Sequence, residues 1–323
     1  MDRREFITVV TGRILAAPLD AGSQQAGRVY RVGYLGPSRE SAYFLALRDG
    51  LAQLGYREGQ NTVLEVRSAE RQTAAAALAQ DLVQLRFDVI IAAGVANARS
   101  AKSATQTIPI VGVAVGGDPV AMGLAKSIAH PGGNFTGFLH GGIDRPKLLQ
   151  LLLEALPGLS RAGVVWNPDN PTVKNSLDPL GAEVRARGLN LRFIRATSIE
   201  ELNAAFASLV GDKIRAAVVP GDPLWVIQNR RAAEIEVRHR IAAIWGHVEI
   251  AEAGGLMAYA PDILDQFRQA AGYVKKILDG AKPGDLPLQY PSRWILVVNL
   301  KTAKAIGVTL SPSTLSRADQ IIE

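Results

Sequence analysis

Short apolar segments rich in valine and isoleucine alternate along this chain with segments whose apolar residues recur every three or four positions. Phe44, Leu47 and Leu51 have that recurrence, which is typical of a helix with one buried face. Near-continuous apolar strands that alternate with such helices indicate parallel sheets covered by helices on both faces. The sequence therefore predicts an α/β fold with strands at residues 32–35, 63–66, 89–93, 110–115, 163–166, 191–194, 216–219, 242–245, 256–259 and 294–298.

These strands and a length of 323 residues are more than one small domain needs. At roughly 150 residues per domain, we predict two doubly wound parallel-sheet lobes. Turn-forming residues cluster at 130–134, 253–255 and 283–291, and three crossings between the lobes would make a hinge. The predicted N-terminal lobe comprises residues 28–136 and 257–290, and the predicted C-terminal lobe comprises residues 137–256 and 291–323.

Residues 1–25 are predicted to be an export signal. Arg3 and Arg4 form a basic start, residues 7–19 are mostly apolar, and Ala21-Gly22-Ser23 is a small-residue cleavage site. The arginine pair also resembles the start of twin-arginine signals. The alternative is the N-terminal helix of a cytosolic protein.

Composition excludes several classes of site. The chain has no cysteine, which excludes disulfides, thiolate zinc sites, cysteine nucleophiles and lipid anchors on cysteine. Its net charge of +6 comes from 36 basic and 30 acidic residues that are scattered along the sequence. A scattered excess is typical of a solvated surface, so we predict no nucleic-acid partner. No apolar run approaches the roughly 20 residues that cross a bilayer.

Motifs for catalysis are also absent from the sequence. It contains no G-x-S-x-G, no G-x-x-x-x-G-K-[ST], no G-x-G-x-x-G and no H-E-x-x-H. The four histidines show no metal-ligand spacing. We therefore predict a protein that is not an enzyme, with no catalytic residues, no metal site and no cofactor.

Small, turn-forming and helix-capping residues follow most of the predicted strands. In open parallel sheets, ligands bind beyond the carboxyl ends of the strands, where helix N-termini present free N–H groups. The candidate ligand-binding residues at these places are Pro37, Ser38, Gly94, Val95, Ala96, Asn97, Asp118, Asn167, Asp222, Trp225 and Trp245.

The residue types at these places suggest how a ligand is held. Ser38, Asn97 and backbone N–H groups beside it suit a ligand carboxylate. Asp118 and Asp222 each precede proline, a combination that can simply start a helix, and one of the two carboxylates is also a candidate for holding an ammonium or hydroxyl group. Trp225 and Trp245 either close over an apolar ligand or pack against the hinge.

Several longer motifs resemble one known family. They are Gly50-Leu51 with residues 54–61, residues 108–111 leading to Gly117-Asp118-Pro119-Val120, residues 130–137, residues 251–257, and the tail from Leu286-Pro287 through residues 299–307. Together with the start of the chain, they resemble the ABC transporter substrate-binding proteins of the tryptophan/tyrosine-type group. That group has the type I periplasmic binding fold.

This resemblance implies an extracytoplasmic, periplasmic receptor that captures a small molecule and presents it to an ABC permease in the membrane. Relatives of known ligand hold amino acids between the lobes, which implicates Ser38, residues 94–97, Asp118, Asn167 and Asp222. We expect a monomer in which ligand binding drives hinge closure.

Three alternatives stay open on the sequence alone. The same fold serves sensors that report to a membrane kinase or chemoreceptor, and genomic neighbours would separate that role from transport. A cytosolic repressor would need a helix-turn-helix before the first lobe. An enzyme of the doubly wound class would reveal itself by turnover of a substrate.

Overall fold

The computed structural model describes residues 28–68, 74–141, 145–170 and 188–323. The predicted export signal lies outside these ranges. The first sheet has five parallel strands in the order β2-β1-β3-β4-β5. Its elements are β1 (Tyr30–Leu35), α1 (Ala42–Gln53), β2 (Thr62–Arg67), α2 (Ala75–Gln84), β3 (Val89–Ala93), α3 (Gly94–Ala104), β4 (Ile110–Val115) and β5 (Phe135–Leu139).

The second sheet has seven strands. The chain continues through α4 (Arg145–Ala155), β6 (Arg161–Trp166), β7 (Asn190–Arg195), α5 (Ile199–Gly211), β8 (Ala216–Val219), α6 (Pro223–Ile227), α7 (Asn229–His239), β9 (Ala242–Trp245), α8 (Val248–Glu252), β10 (Met257–Pro261), α9 (Ile263–Leu278), β11 (Trp294–Asn299), α10 (Leu300–Ile306), α11 (Pro312–Arg317) and β12 (Gln320–Ile322). The strand order is β12-β11-β10-β9-β8-β6-β7, and β11 is antiparallel to β10.

Helices cover both faces of each sheet. In the first lobe, α1 packs with α9 on one face, through Phe44 and Phe267, and Leu82 and Ala98 lie in the core of the other face. In the second lobe, Phe206 belongs to one core and α4 to the opposite one. This arrangement confirms the predicted fold class of two doubly wound α/β lobes.

The chain crosses between the lobes later than the sequence suggested. β5 belongs entirely to the first sheet, and β10 belongs to the second sheet beside β9. The predicted boundaries at 136/137 and 256/257 therefore need correction to the end of β5 and to the junction of β10 with α9. The third crossing precedes β11, because Gln289 still pairs with Phe138 of the first lobe.

All ten predicted strands are present, but β5 and β12 were not predicted. β5 contains Gly137, whose φ of +135° and close approach to Gly112 require glycine. A Cβ at Gly137 would lie 2.0 Å from the carbonyl oxygen of Gly112. None of the helices in the described ranges is long and apolar enough to span a membrane.

Candidate functional site

The strand order of each sheet reverses at one place, and ligands of open α/β sheets bind in the crevice at such places. In the first sheet the reversal falls between β1 and β3, and in the second between β6 and β8. Ser38, Asn167 and Asp222 lie in the loops after β1, β6 and β8, and residues 94–97 form the first turn of α3, directly after β3. These predicted candidates therefore lie at the strand ends that border the two crevices.

The N-terminus of α3 lies at the first reversal. Its N-cap residue is Ala93, which has no side chain able to accept a hydrogen bond, and its first turn has no acidic residue. Asn97 does not compensate, because its amide donates to the carbonyl oxygen of Ala93 at 2.8 Å. The first N–H groups of a helix have no partner within it, so this end of α3 suits an anion.

Tyr34 lies beside the same crevice and was not predicted. Its ring packs edge-on against Phe44, and its hydroxyl makes no hydrogen bond within the described residues. A Cβ at Gly36 would lie 2.8 Å from both the Tyr34 hydroxyl and Ala93. The hydroxyl therefore reaches the ends of β1 and β3, and burial raises the pKa of Tyr34, which keeps it protonated. A single tyrosine in an apolar strand was the only sequence signal.

Asp222 organises the second crevice. Its side chain is buried, and one carboxylate oxygen accepts the N–H of Leu224 at 2.9 Å, which caps α6. The other oxygen accepts the amides of Asn167 at 3.2 Å and Asn170 at 2.8 Å. The carboxylate thus joins the loop after β6 to the loop after β8. Asn170 was not among the predicted residues.

A polar contact joins the two lobes. The Tyr43 hydroxyl of α1 donates to Glu249 Oε1 of α8 at 3.1 Å. Next to it, the rings of His140 and His247 are 5.9 Å apart, and His247 Nδ1 is 3.9 Å from Glu249 Oε2. Neither the tyrosine nor the histidines were predicted here, because nothing in their local sequence shows that they meet.

Burial lowers the pKa of His247 to about 4, and His140 acts in the same direction while Glu249 and Asp222 oppose it. Burial also lowers the pKa of His140. An exposed histidine titrates near 6.5, so protonation favours an arrangement in which these rings are hydrated. We expect this interlobe contact to be intact above pH 6.5 and lost as the pH falls through about 4.

Small-angle scattering from pH 7.5 to 4 checks this expectation, with the radius of gyration rising at the acid end. In His247→Gln the rise is expected to shrink to less than half. His130→Gln is the matched control, because His130 is exposed in a loop of the first lobe. An identical pH profile in wild type and His247→Gln would contradict the assignment.

The other predicted residues occupy different places. Trp225 and Trp245 are buried in a core of the second lobe, and the indole N–H of Trp245 donates to Glu236 at 2.7 Å. The prediction that Trp245 closes over a ligand is therefore corrected: its ring and its donor both have partners in the core. Asp118 is exposed beyond β4 and caps the following turn through Val120 N at 2.8 Å.

Pro37 and Ser38 lie exposed in the turn after β1, where the Ser38 carbonyl accepts the N–H of Ser41 at 3.0 Å. Among the described residues, no group of three or more histidine or acidic side chains is arranged to hold a metal ion. The candidate ligand-binding groups are therefore backbone N–H groups, amides and carboxylates at the strand ends of the two sheets.

Two α/β lobes of mainly parallel sheets, each with a crevice at its strand ends, have the fold of periplasmic binding proteins. A family model described as ABC transporter substrate binding protein matches residues 36–322, and the chain belongs to this family. It is therefore a solute-binding component of an ABC transporter, which binds a small molecule and works with a permease. Proteins of this family act outside the cytoplasm.

Three relatives illustrate the similarity. The chain is 28% identical over 259 residues to a tyrosine-binding protein of Clostridioides difficile, covering 80% of this chain and 74% of that protein. It is 26% identical, with a TM-score of 0.76, to the ligand-free, open structure of a substrate binding protein with adhesive properties from Clostridium difficile; the match covers 91% of this chain and 99% of that one. An ABC domain from Streptococcus pneumonia in complex with L-Trp shares the fold, at 24% identity and a TM-score of 0.75, over 91% of this chain and all (100%) of that one.

Proposed function

We propose that this protein binds an aromatic α-amino acid between its lobes and delivers it to its permease. The observation that carries the proposal is the pairing of opposite polarities at the two crevices. The first lobe presents the uncapped N-terminus of α3, and the second presents the buried carboxylate of Asp222. An α-amino acid has a carboxylate for the first and an ammonium group for the second.

The side chain of the ligand is proposed to be aromatic for two reasons. Apolar residues stand exposed beside both crevices, namely Val95 at the start of α3 and Ile227 at the end of α6. A ligand with a large apolar body would remove this surface from water. The named relatives bind tyrosine and L-Trp, which agrees with that chemistry.

Closure follows from the division of the site between two lobes. A ligand that touches both crevices only when they approach shifts the population toward the closed form. In this proposal the hydrogen bond between Tyr43 and Glu249 persists or becomes shorter when the lobes close. The protein is further proposed to be exported by residues 1–25, to act in the periplasm as a monomer, and to have neither enzymatic activity nor a nucleic-acid partner.

Isothermal titration calorimetry of the purified chain tests the ligand. L-tyrosine and L-tryptophan are expected to bind. Tyramine lacks the carboxylate and 3-(4-hydroxyphenyl)propionate lacks the amine, so each is expected to bind at least tenfold more weakly than L-tyrosine, since a charged hydrogen bond contributes about 1.5–3 kcal/mol. Equal affinity for tyramine and L-tyrosine would refute the carboxylate subsite.

Tyr43→Phe tests the contribution of the interlobe bond. The substitution keeps the ring but removes the hydroxyl that donates to Glu249 at 3.1 Å. We expect affinity for L-tyrosine to fall about threefold, because a net hydrogen bond is worth about 0.5–1.5 kcal/mol. Tyr30→Phe is the control, since Tyr30 lies at the far end of β1. An unchanged Kd in Tyr43→Phe would mean that the bond does not survive closure.

A further inference from the structure

A basic cavity lies on the first lobe, away from the crevices. It has a volume of about 600 Å³ and lies between α3 and the turn at residues 130–134. That turn is one of the motifs found in the sequence, and the amino-acid site does not use it. Lys102 is in the last turn of α3, about 12 Å along the helix from its uncapped start. The cavity therefore opens near the opposite end of the helix from the ligand crevice.

Three cations line this cavity: Arg99, Lys102 and Lys126. Among the residues that the structure describes, none of those lining the cavity carries a carboxylate. Within the described residues, Arg99 and Lys126 form neither a salt bridge nor a side-chain hydrogen bond. Like charges that share a site without a counter-charge repel one another, and a bound anion would relieve that repulsion.

Lys102 is held in position by the protein. Its ammonium donates to Asn134 Oδ1 at 2.6 Å. Asn134 is buried, and its own amide donates to the carbonyl oxygens of Thr105 at 3.0 Å and Ile108 at 2.8 Å. Partial burial lowers the pKa of Lys102. The position of the Lys102 ammonium is therefore fixed before an anion binds.

The glycine pair of the turn brings the lysines together. Gly132 and Gly133 have φ values of +65° and +69°, which favour glycine. A Cβ at Gly132 would lie 2.9 Å from Lys126 Cδ, and one at Gly133 would lie 3.5 Å from Lys102 Nζ. The turn is also held to the segment after α9, since the Gly132 N–H donates to the Gly284 carbonyl oxygen at 3.1 Å. Both lysine side chains therefore converge on this turn.

We propose that this cavity binds a phosphate group, carried either by a soluble phosphate compound or by a phospholipid headgroup. Three positive charges match a dianion better than a single carboxylate, and the guanidinium of Arg99 is suited to bidentate contact with phosphate oxygens. The volume is within the range of small-molecule sites, so there is room for more than the phosphate itself. The favourable position of Lys102 in the last turn of α3 does not explain the presence of Arg99 or Lys126.

Calorimetry with pyrophosphate at low salt tests the site, using the full chain. Wild type is expected to bind, with at least fivefold weaker binding in Lys126→Glu and in Lys102→Ala. Lys304→Ala, an exposed lysine of the second lobe, is the control for loss of one charge and is expected to match wild type. No binding by wild type, or equal binding by wild type and Lys126→Glu, would overturn the proposal.

Co-sedimentation with vesicles distinguishes the two sources of phosphate. One set contains phosphatidylcholine alone and the other adds phosphatidylglycerol. Binding to the second set that is lost in Lys126→Glu supports a headgroup ligand. Binding of pyrophosphate with no vesicle binding supports a soluble phosphate compound. The affinity for L-tyrosine is expected to be unchanged in Lys126→Glu, so this proposal and the proposed function can fail separately.

Discussion

Glu236→Ala is expected to lower the free energy of unfolding by about 3–5 kcal/mol, because it would leave three buried N–H groups without an acceptor. The side chain of Glu236 is fully buried in the second lobe. One carboxylate oxygen accepts the N–H of Ala243 at 3.0 Å and of Leu256 at 3.1 Å, and the other accepts the indole N–H of Trp245 at 2.7 Å.

The position of this carboxylate explains the size of the effect. The pairing of β9 with β10 begins at Ile244 and Met257, so Ala243 and Leu256 stand just before the ladder starts. Glu236 replaces the missing strand contacts at that point. The expected loss of about 3–5 kcal/mol is a large part of the net free energy of unfolding, which is typically about 5–15 kcal/mol.

Urea unfolding followed by far-ultraviolet circular dichroism measures the loss. Glu234→Ala is the matched control, because Glu234 is exposed on the same helix, and a change within about 0.5 kcal/mol is expected there. Trp245→Phe removes one of the three bonds and is expected to cost about 1–3 kcal/mol. Equal stability of Glu236→Ala and Glu234→Ala would show that the three bonds contribute nothing net.

The pH dependence of stability carries a second signature of Glu236. Burial raises the pKa of this carboxyl to about 8, and the three N–H donors partly oppose that shift. The folded chain then holds the proton more tightly than the unfolded chain. The contribution to stability is full below about pH 4.5 and is lost as the pH rises through 8. Glu236→Gln is expected to remove this component.

Strand positions could be predicted from the sequence because the apolar alternation is local. β5 was not predicted because Thr136 and Gly137 interrupt the apolar pattern. The need for glycine at position 137 is explained only by the close approach of Gly112 in the neighbouring strand. The Gly254-Gly255 pair was interpreted as a crossing between lobes. In the structure, a Cβ at Gly255 would lie 3.0 Å from Glu236 Oε2, so Gly255 makes room for that side chain. Turn composition alone does not separate a linker from a tight internal contact.

The loops of the site could be predicted because ligands of parallel sheets bind at strand ends, whatever the ligand is. The hydrogen-bond partner of each side chain could not be predicted. Trp245 follows a strand as a cleft residue would, yet its N–H is used by Glu236 in the core. Tyr43 and Glu249 come from different lobes, and their contact exists only after both lobes have folded and approached. Such pairings depend on tertiary structure that residue spacing does not encode.

Asp222→Asn is expected to weaken binding of L-tyrosine by between about tenfold and a hundredfold, if Asp222 holds the ligand ammonium as proposed. Asparagine is also a good N-cap, so the contact with Leu224 N at 2.9 Å that starts α6 is retained. The negative charge is lost, and the NH₂ group that replaces Oδ2 no longer accepts the amides of Asn167 and Asn170. Calorimetry gives the Kd, and a thermal melt confirms that the variant is folded.

The choice of ligand makes this test specific to charge. For 3-(4-hydroxyphenyl)propionate, which has no amine, Asp222→Asn is expected to bind within about threefold of wild type, because no ammonium contact exists to lose. An equal loss for both ligands would assign Asp222 the purely structural role of joining the loops after β6 and β8. Asp118→Asn provides the comparison at the Asp118-Pro119 pair, where Asp118 caps an exposed turn beyond β4. If the amine-specific loss occurred there instead, the ammonium would belong to the first lobe, and the division of charge between the two crevices would be wrong.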